Sequence, residues 1–161
     1  MHIRKLEVSD SAAYLEMLNK LDQETSFMLF EPGERSMTED EIIARVNNKG
    51  SETFVVADKG ELGGFISISR GFAKRINHMG YVVMGILKTH QGRGLGTKLF
   101  GEVINWAKEN GITRLELTVM THNTAALALY KKMGFLVEGT RKKAMKVEGK
   151  YVDEYYMGKI I

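Results

Sequence analysis

Gln91-Gly92-Arg93-Gly94-Leu95-Gly96-Thr97 lies between an apolar run, Tyr81 to Leu87, and a segment whose apolar residues follow helical spacing from Leu95. A strand, a glycine-rich turn and a helix start in that order direct several backbone N–H groups toward one point. The helix N-terminus adds about half a positive charge there. Glycines let the backbone approach a bulky anion with no Cβ in the way. Arg93 adds a cation and Thr97 a hydroxyl, so a pyrophosphate suits the segment. A Walker loop needs Gly-Lys followed by Ser or Thr, and Gly96-Thr97-Lys98 has the lysine and hydroxyl transposed. A Rossmann loop opens its domain and has glycine where Gly92-x-Gly94-x-x-Thr97 has threonine. Glu116 stands about 20 residues past Gly96, as a ribose-binding acid would. Dinucleotide binding and a ligand-free turn therefore remain alternatives at this point.

Composition narrows the chemistry. With no cysteine in 161 residues, a disulfide scaffold, a thiolate nucleophile, an iron–sulfur cluster and sulfur-based zinc sites are excluded. The histidines at 2, 78, 90 and 122 are scattered, so no metal site is expected. A 43% hydrophobic and 27% charged chain is ordinary for a folded globular protein, and its length predicts one domain spanning 1–161. No apolar run is long enough to span a membrane, and Met1-His2-Ile3-Arg4-Lys5-Leu6 leads into polar residues rather than a signal-peptide core. A cytoplasmic location is the expectation. The net charge of +3 suits a phosphate-bearing small ligand. The basic tail has no interleaved aromatics, so nucleic acid is not expected as a partner.

Outward from the loop, periodicity predicts a short strand at His2–Leu6, then a helix capped by Ser9 or Asp10 with Ala13, Tyr14, Met17, Leu18 and Leu21 on one face. An aperiodic acidic stretch from Asp22 to Arg35 follows. A second helix starts near Thr38, where Ser36-x-x-Glu39 and Thr38-x-x-Glu41 both fit a capping box. Thr53–Ala57 and Leu62–Ser69 predict a hairpin around Asp58-Lys59-Gly60-Glu61. Tyr81–Leu87 is apolar on both parities and predicts a central strand covered on both faces. After the loop come a helix to Lys108 stopped by Asn110-Gly111, a strand at Arg114–Val119, a helix opened by Asn123 and ended by Gly134, and strands at Phe135–Gly139 and Tyr151–Gly158. The order β-α-α-β-β-β-α-β-α-β-β predicts an α+β or α/β domain around one mixed sheet. The last two strands leave an edge that predicts a possible homodimer.

Gln91-x-x-Gly94-x-Gly96 resembles the acetyl-CoA-binding signature of the GNAT family of N-acetyltransferases, Gln/Arg-x-x-Gly-x-Gly/Ala. Asn123-Thr124-Ala125-Ala126-Leu127-Ala128-Leu129-Tyr130-Lys131-Lys132-Met133-Gly134-Phe135 is similar to the family's Asn-x-x-Ala-x-x-Leu-Tyr-x-x-x-Gly-Phe block. The segments Glu138-Gly139-Thr140-Arg141 and Gly149-Lys150-Tyr151-Val152-Asp153 resemble the branch holding polyamine and ribosomal-protein acetyltransferases. The resemblance covers residues 53 to 161 well and the first fifty by helix order alone. It implies a three-layer α+β fold: a mixed, mostly antiparallel sheet flanked by helices, splayed between its fourth and fifth strands.

The family's roles can then be carried over. Ile86 and Leu87 would offer backbone groups to pantetheine, while Gln91, Gly92, Arg93, Gly94, Leu95, Gly96 and Thr97 would take the pyrophosphate. Asn123 and Ala126 would also contact the cofactor. Tyr130 would protonate the departing thiolate; an unperturbed phenol, with a pKa of about 10, keeps its proton at neutral pH. Glu24, Phe27 and Glu31 would border the acceptor amine, with Glu24 or Glu116 as candidate general base. The co-substrate implied is acetyl-CoA and the partner an amine acceptor. With no cysteine to carry an acyl group, transfer would be direct within a ternary complex. The alternative is a non-catalytic CoA-binding sensor or scaffold of the same fold.

Overall fold

Alternating β-branched and aromatic residues build the first half of the sheet: β1 (His2–Lys5), β2 (Ser51–Asp58), β3 (Glu61–Arg70) and β4 (Met79–Ile86). Antiparallel pairing joins them in order. The computed structural model describes residues 1–161. The helices are α1 (Ser11–Glu24), α2 (Glu39–Val46), α3 (Leu95–Glu109) and α4 (Thr124–Lys132). β5 (Arg114–Met120), β6 (Leu136–Val147) and β7 (Lys150–Ile160) complete one seven-stranded sheet of order β1-β2-β3-β4-β5-β7-β6.

One contact differs from the rest. β4 and β5 are joined by the α3 crossover and so run parallel, and they pair only at Met79↔Arg114, Gly80↔Leu115 and Tyr81↔Glu116. Beyond that point β4 stays with β3 as far as Gly64↔Ile86, and β5 stays with β7 as far as Met120↔Glu154. Each strand keeps its outer neighbour, so the gap opens between the two. The expected splay is present.

Alternation places two cores on the two faces. On one, Ile66, Ile68, Val82, Leu115, Leu117 and Val119 meet Leu99, Phe100, Val103 and Trp106 of α3, with Tyr130 of α4. On the other, Val55, Phe65 and Leu87 meet Tyr14, Met17, Leu18 and Leu21 of α1 and Ile42 of α2. Truncating one such buried leucine to alanine costs about 2–5 kcal/mol. The second core stops at β4. Tyr81 and Val83 are 39% and 40% exposed, so this half of β4 is covered on one face only, contrary to the reading from its apolar parity, while Leu21 of α1 packs over the same face at Gly85. The two short helices α1 and α2 do not reach across to β5 and β7, and that half of the face stays open.

Local differences have local causes. Asp10 precedes α1, but its carboxylate pairs with Arg4 at 2.6 Å and accepts the Glu7 amide at 2.8 Å instead of capping the helix. The Arg4 guanidinium holds the Asp10 carboxyl below its usual range. Thr38 caps α2 by accepting the Glu41 amide at 3.3 Å, whereas Glu39 of the alternative box faces Ser11. β6 runs well past Gly139 to Val147, through an irregular register between Arg141 and Met145 where Lys143 has φ +49°. As the free edge of the sheet, its outer half carries Arg141, Lys142, Lys143 and Lys146, charges that discourage further strand pairing.

Candidate active site

The glycine loop begins where β4 ends. A 3-10 turn at Lys88–His90 leads into it, and Gly94 becomes the N-cap of α3 at φ +71°, a left-handed conformation that a side chain would strain. Around Gly94 a Cβ would meet nothing within 4 Å, so the backbone there faces open space. The amides of Leu95, Gly96 and Thr97 form the first turn of α3 and have no acceptor within the helix. Gly96 has a different reason to lack a side chain. It is buried, and a Cβ would stand 2.6 Å from Leu129 Cδ2, so this glycine admits α4 against α3. Arg93 donates to the Thr89 carbonyl at 3.1 Å, which steadies the turn before the loop. His90 packs its ring on Gly63 and lies 3.7 Å from Asp58, on the far side of the loop from the splay.

Side chains tie the loop to the splayed strand. Gln91 donates Nε2–H to the Ile86 carbonyl at 2.9 Å, and Glu24, the last residue of α1, accepts the Lys88 amide at 2.9 Å. Leu87 is buried among the α1 residues, its amide donates to the Gly63 carbonyl at 2.9 Å and its carbonyl accepts the His90 amide at 2.8 Å. Contrary to expectation, Leu87 therefore has no free backbone group to offer a ligand. Across the gap, Asn123 accepts the Ala126 amide at 3.3 Å as the N-cap of α4. That bond orients the first turn of α4 whether or not Asn123 also meets a ligand.

Tyr130 follows near the end of the same helix, 8% exposed, its ring edge-on to Phe100 at 5.8 Å. Its hydroxyl makes no hydrogen bond to the protein and is not sealed from solvent. Burial pushes the phenol up to about 12, with the Tyr81 phenol adding to the effect. A group held neutral in this way is a proton donor across the whole working pH range.

The aperiodic stretch after α1 is a constructed loop. Pro32 and Gly33, at φ +79°, make a turn in which the Glu34 amide donates to the Glu31 carbonyl at 3.1 Å. The Glu34 carboxylate returns to accept the Glu31 amide at 2.9 Å. Arg35 then folds back onto Asp22 with a two-pronged pair at 2.8 and 3.0 Å, under the Phe30 ring. Phe27 reaches across the splay, and its ring lies 5.1 Å from that of His122, just before α4. The fold thus brings Glu24 and Phe27 to the splay and leaves Glu31 on an exposed turn. Glu116 lies on the paired part of β5 and is held by Arg114 Nε at 3.0 Å. The same guanidinium holds Glu138 at 3.0 Å and depresses its carboxyl.

Three residues escaped the sequence reading. Tyr81 and Thr118 hydrogen-bond at 2.9 Å across the base of the splay, and His122 meets Phe27. A lone tyrosine in an apolar strand and a histidine in a turn carry no spacing signal, because their partners are distant in sequence.

A parallel strand pair that stops after three rungs, with a glycine-lined helix start beside its open end, matches the splayed sheet that the resemblance to the acetyltransferase class implied. The chain belongs to the acetyltransferase (GNAT) family, whose family pattern matches residues 15–135. An acetyltransferase of this family from Streptococcus pneumoniae superposes with a TM-score of 0.94 at 34% identity, covering 99% of both chains. The L-amino acid N-acetyltransferase AaaT of Escherichia coli is 33% identical over 115 residues, 69% of each chain. The N-alpha-acetyltransferase RimI of Mycobacterium tuberculosis is 39% identical over 100 residues, 61% of this chain and 59% of that protein. The yncA structure from Salmonella typhimurium, solved with its cofactor acetyl-CoA, shares the fold at a TM-score of 0.88 and 22% identity, over 99% of this chain and 93% of that one.

Proposed function

We propose that this protein transfers an acetyl group from acetyl-CoA directly to a primary amine. The observation that carries the reading is the splay itself. Its unpaired strand edges have the glycine loop at one end and the Tyr130 phenol, kept neutral by burial, on the α4 side.

The residues present suit the co-substrate. The open backbone at Gly92 and Gly94, the amides opening α3, and the cation of Arg93 would hold the pyrophosphate. Ile86 would offer its backbone to pantetheine, Leu87 having both backbone groups engaged by Gly63 and His90, and the first turn of α4, from Asn123 to Ala126, would line the opposite side. Bound acetyl-CoA supplies an activated thioester and a thiolate leaving group. Tyr130 gives that thiolate its proton. Glu24 is the better placed of the two candidate bases: its carboxylate sits at the end of the splayed strand, whereas that of Glu116 is engaged by Arg114.

AaaT and RimI are named for an L-amino acid and an N-alpha acceptor, which favours an α-amino group here too. The chemistry agrees. The α-amine of a peptide terminus, with a pKa of about 7.7–8.0, is roughly a quarter to two fifths neutral near pH 7.5, whereas a lysine-like amine at about 10.4 is almost wholly charged. An α-amine therefore asks less of a base. The edge at Leu136 and Val137, both exposed, supports a homodimer, which sedimentation would test.

The direct experiment is a thiol-release assay with acetyl-CoA and a panel of free amino acids, peptides and polyamines, alongside acetyl-CoA titration calorimetry. Binding without thiol release for any amine would favour the non-catalytic CoA-binding reading.

A further inference from the structure

Asp22 and Arg35 form the most deeply buried ion pair of the protein, with side chains 1% and 7% exposed. Both carboxylate oxygens are used, by Nε and one terminal nitrogen of the guanidinium, and the guanidinium carbon lies over the Phe30 ring, 4.8 Å from its centre. A pair this dry adds little net stability, because desolvating two charges offsets most of their attraction. What it does add is direction. A planar fork on a planar carboxylate accepts one geometry, so the chain entering and the chain leaving the loop are held in one relation.

That loop crosses the mouth of the splay. At its start Glu24 is bonded to the Lys88 amide at the end of the splayed segment, and Thr25 Oγ1 accepts the Phe27 amide at 3.1 Å. Phe27 then meets His122 on the β5 side of the gap. At its far end the Glu31–Glu34 turn delivers Arg35 back to Asp22, two residues before Glu24 in α1. The span from Glu24 to Phe27 is thus fixed from both ends, and the pair is the anchor that closes it.

We propose that the Asp22–Arg35 pair is a positioning device for the amine side of the site. It holds Glu24 and Phe27 over the splay as a fixed roof, while Asp22 and Arg35 themselves bond each other and not the Gln91–Thr97 loop. Neither residue reaches the reacting atoms; both act through Glu24 and Phe27. This rests on the transferase reading above, and it predicts a separation of the two substrates that general destabilisation does not produce.

The test is Arg35→Lys, which keeps the charge and loses the fork and the stacked plane. Acetyl-CoA affinity by calorimetry stays at the wild-type value, and hydrogen exchange quickens in peptides covering residues 25–37. The acceptor KM rises by about tenfold, well inside what a displacement of about 1 Å can cost, while kcat at saturating amine changes by less. Wild-type exchange and acceptor KM in a folded Arg35→Lys protein would overturn the proposal. So would a parallel loss of acetyl-CoA affinity and kcat, which marks a merely structural pair. Should Arg35→Lys not fold, the double variant Asp22→Asn with Arg35→Met leaves no unpaired buried charge and must show the same separation. A wild-type protein that acetylates no amine defeats the transferase reading alone; the exchange arm then decides whether the pair holds the loop.

Discussion

Tyr81 and Thr118 share a hydrogen bond of 2.9 Å across the line where β4 and β5 stop pairing. The last backbone rung is Tyr81↔Glu116, so this side-chain bridge stands immediately above it, where the two strands begin to part. It braces the base of the splay and limits how far the gap can propagate down the sheet. Tyr81→Phe removes the bridge and keeps the ring. The expected loss is about 1 kcal/mol of stability, that of one neutral hydrogen bond. A rise of a few-fold in the acetyl-CoA KM should accompany it. Urea unfolding and steady-state kinetics check both, and an unchanged KM would make the bridge irrelevant to the cofactor side.

Gly94 and Gly96 sit two residues apart and should fail in different ways. Gly94→Val puts a branched side chain at φ +71° and in the space assigned to phosphate. The backbone strain costs about 1–2 kcal/mol, and acetyl-CoA binding by calorimetry should be lost. Gly96→Ala pushes on Leu129 instead and should destabilise the fold by about 1–3 kcal/mol. Because the obstructing atom is the tip of one side chain, Leu129→Ala should partly suppress the Gly96→Ala defect in a double-mutant cycle. Full additivity of the two changes would contradict the packing role.

Tyr130→Phe should lower kcat by about 100-fold or more, within the usual range for a general acid, with acetyl-CoA affinity little changed. Burial raises the phenol from 10.0 to about 12, so the proton is on the oxygen throughout neutral and mildly alkaline pH. The rate of the wild-type protein should therefore rise with pH as the amine neutralises, with no loss attributable to Tyr130 below about pH 11. Stability follows the same shift. The buried neutral phenol contributes fully below pH 10.0, where the unfolded chain also keeps its proton. That contribution disappears as pH climbs through about 12. Thermal melts of Tyr130→Phe should accordingly lose part of the wild-type decline at high pH.

The two candidate bases are separable. Glu24→Gln retains an acceptor for the Lys88 amide and removes the charge, so the loop should stay in place while kcat/KM for the amine falls by about tenfold or more. Glu116→Gln should change kcat/KM by far less, since its carboxylate already serves Arg114, and should cost stability through that network. The reverse ranking in pre-steady-state rates would move the base to β5.

How much of this was legible in the sequence depended on whether the signal was local. The Asp58-Lys59-Gly60-Glu61 turn, the Gly111 and Gly134 helix stops and the Asn123 cap all act within a few residues, and each stands where its chemistry placed it. Phe100 is fully buried in α3 beside Leu99, because the buried helix face is wider than a strict three-four spacing suggests. The outer half of β6 was missed because Arg141-Lys142-Lys143 shows no alternation, as suits a charged edge with a register break. The open face of β4 was misread because an apolar run reports burial or ligand contact equally. Asp22–Arg35, Phe27–His122 and Tyr81–Thr118 join distant segments, and only the fold brings them together. At the site, the glycine loop was readable because its conformation is written in adjacent residues. The division between Gly94, free for a ligand, and Gly96, filled by Leu129, was not.

The central claim is that acetyl passes from acetyl-CoA to an α-amine with no acyl-enzyme stage. The measurement that tests it most directly is a single-turnover mixing experiment. Protein preloaded with acetyl-CoA is mixed with a candidate amine, and free thiol, acetylated amine and the mass of the intact protein are read at each time point. Direct transfer predicts no thiol before the amine is added, equal and simultaneous appearance of thiol and acetylated amine afterwards, and a protein mass that never changes. Thiol released ahead of the amine together with an acetylated protein, or an acetyl-CoA complex that stays inert to every amine, would contradict it.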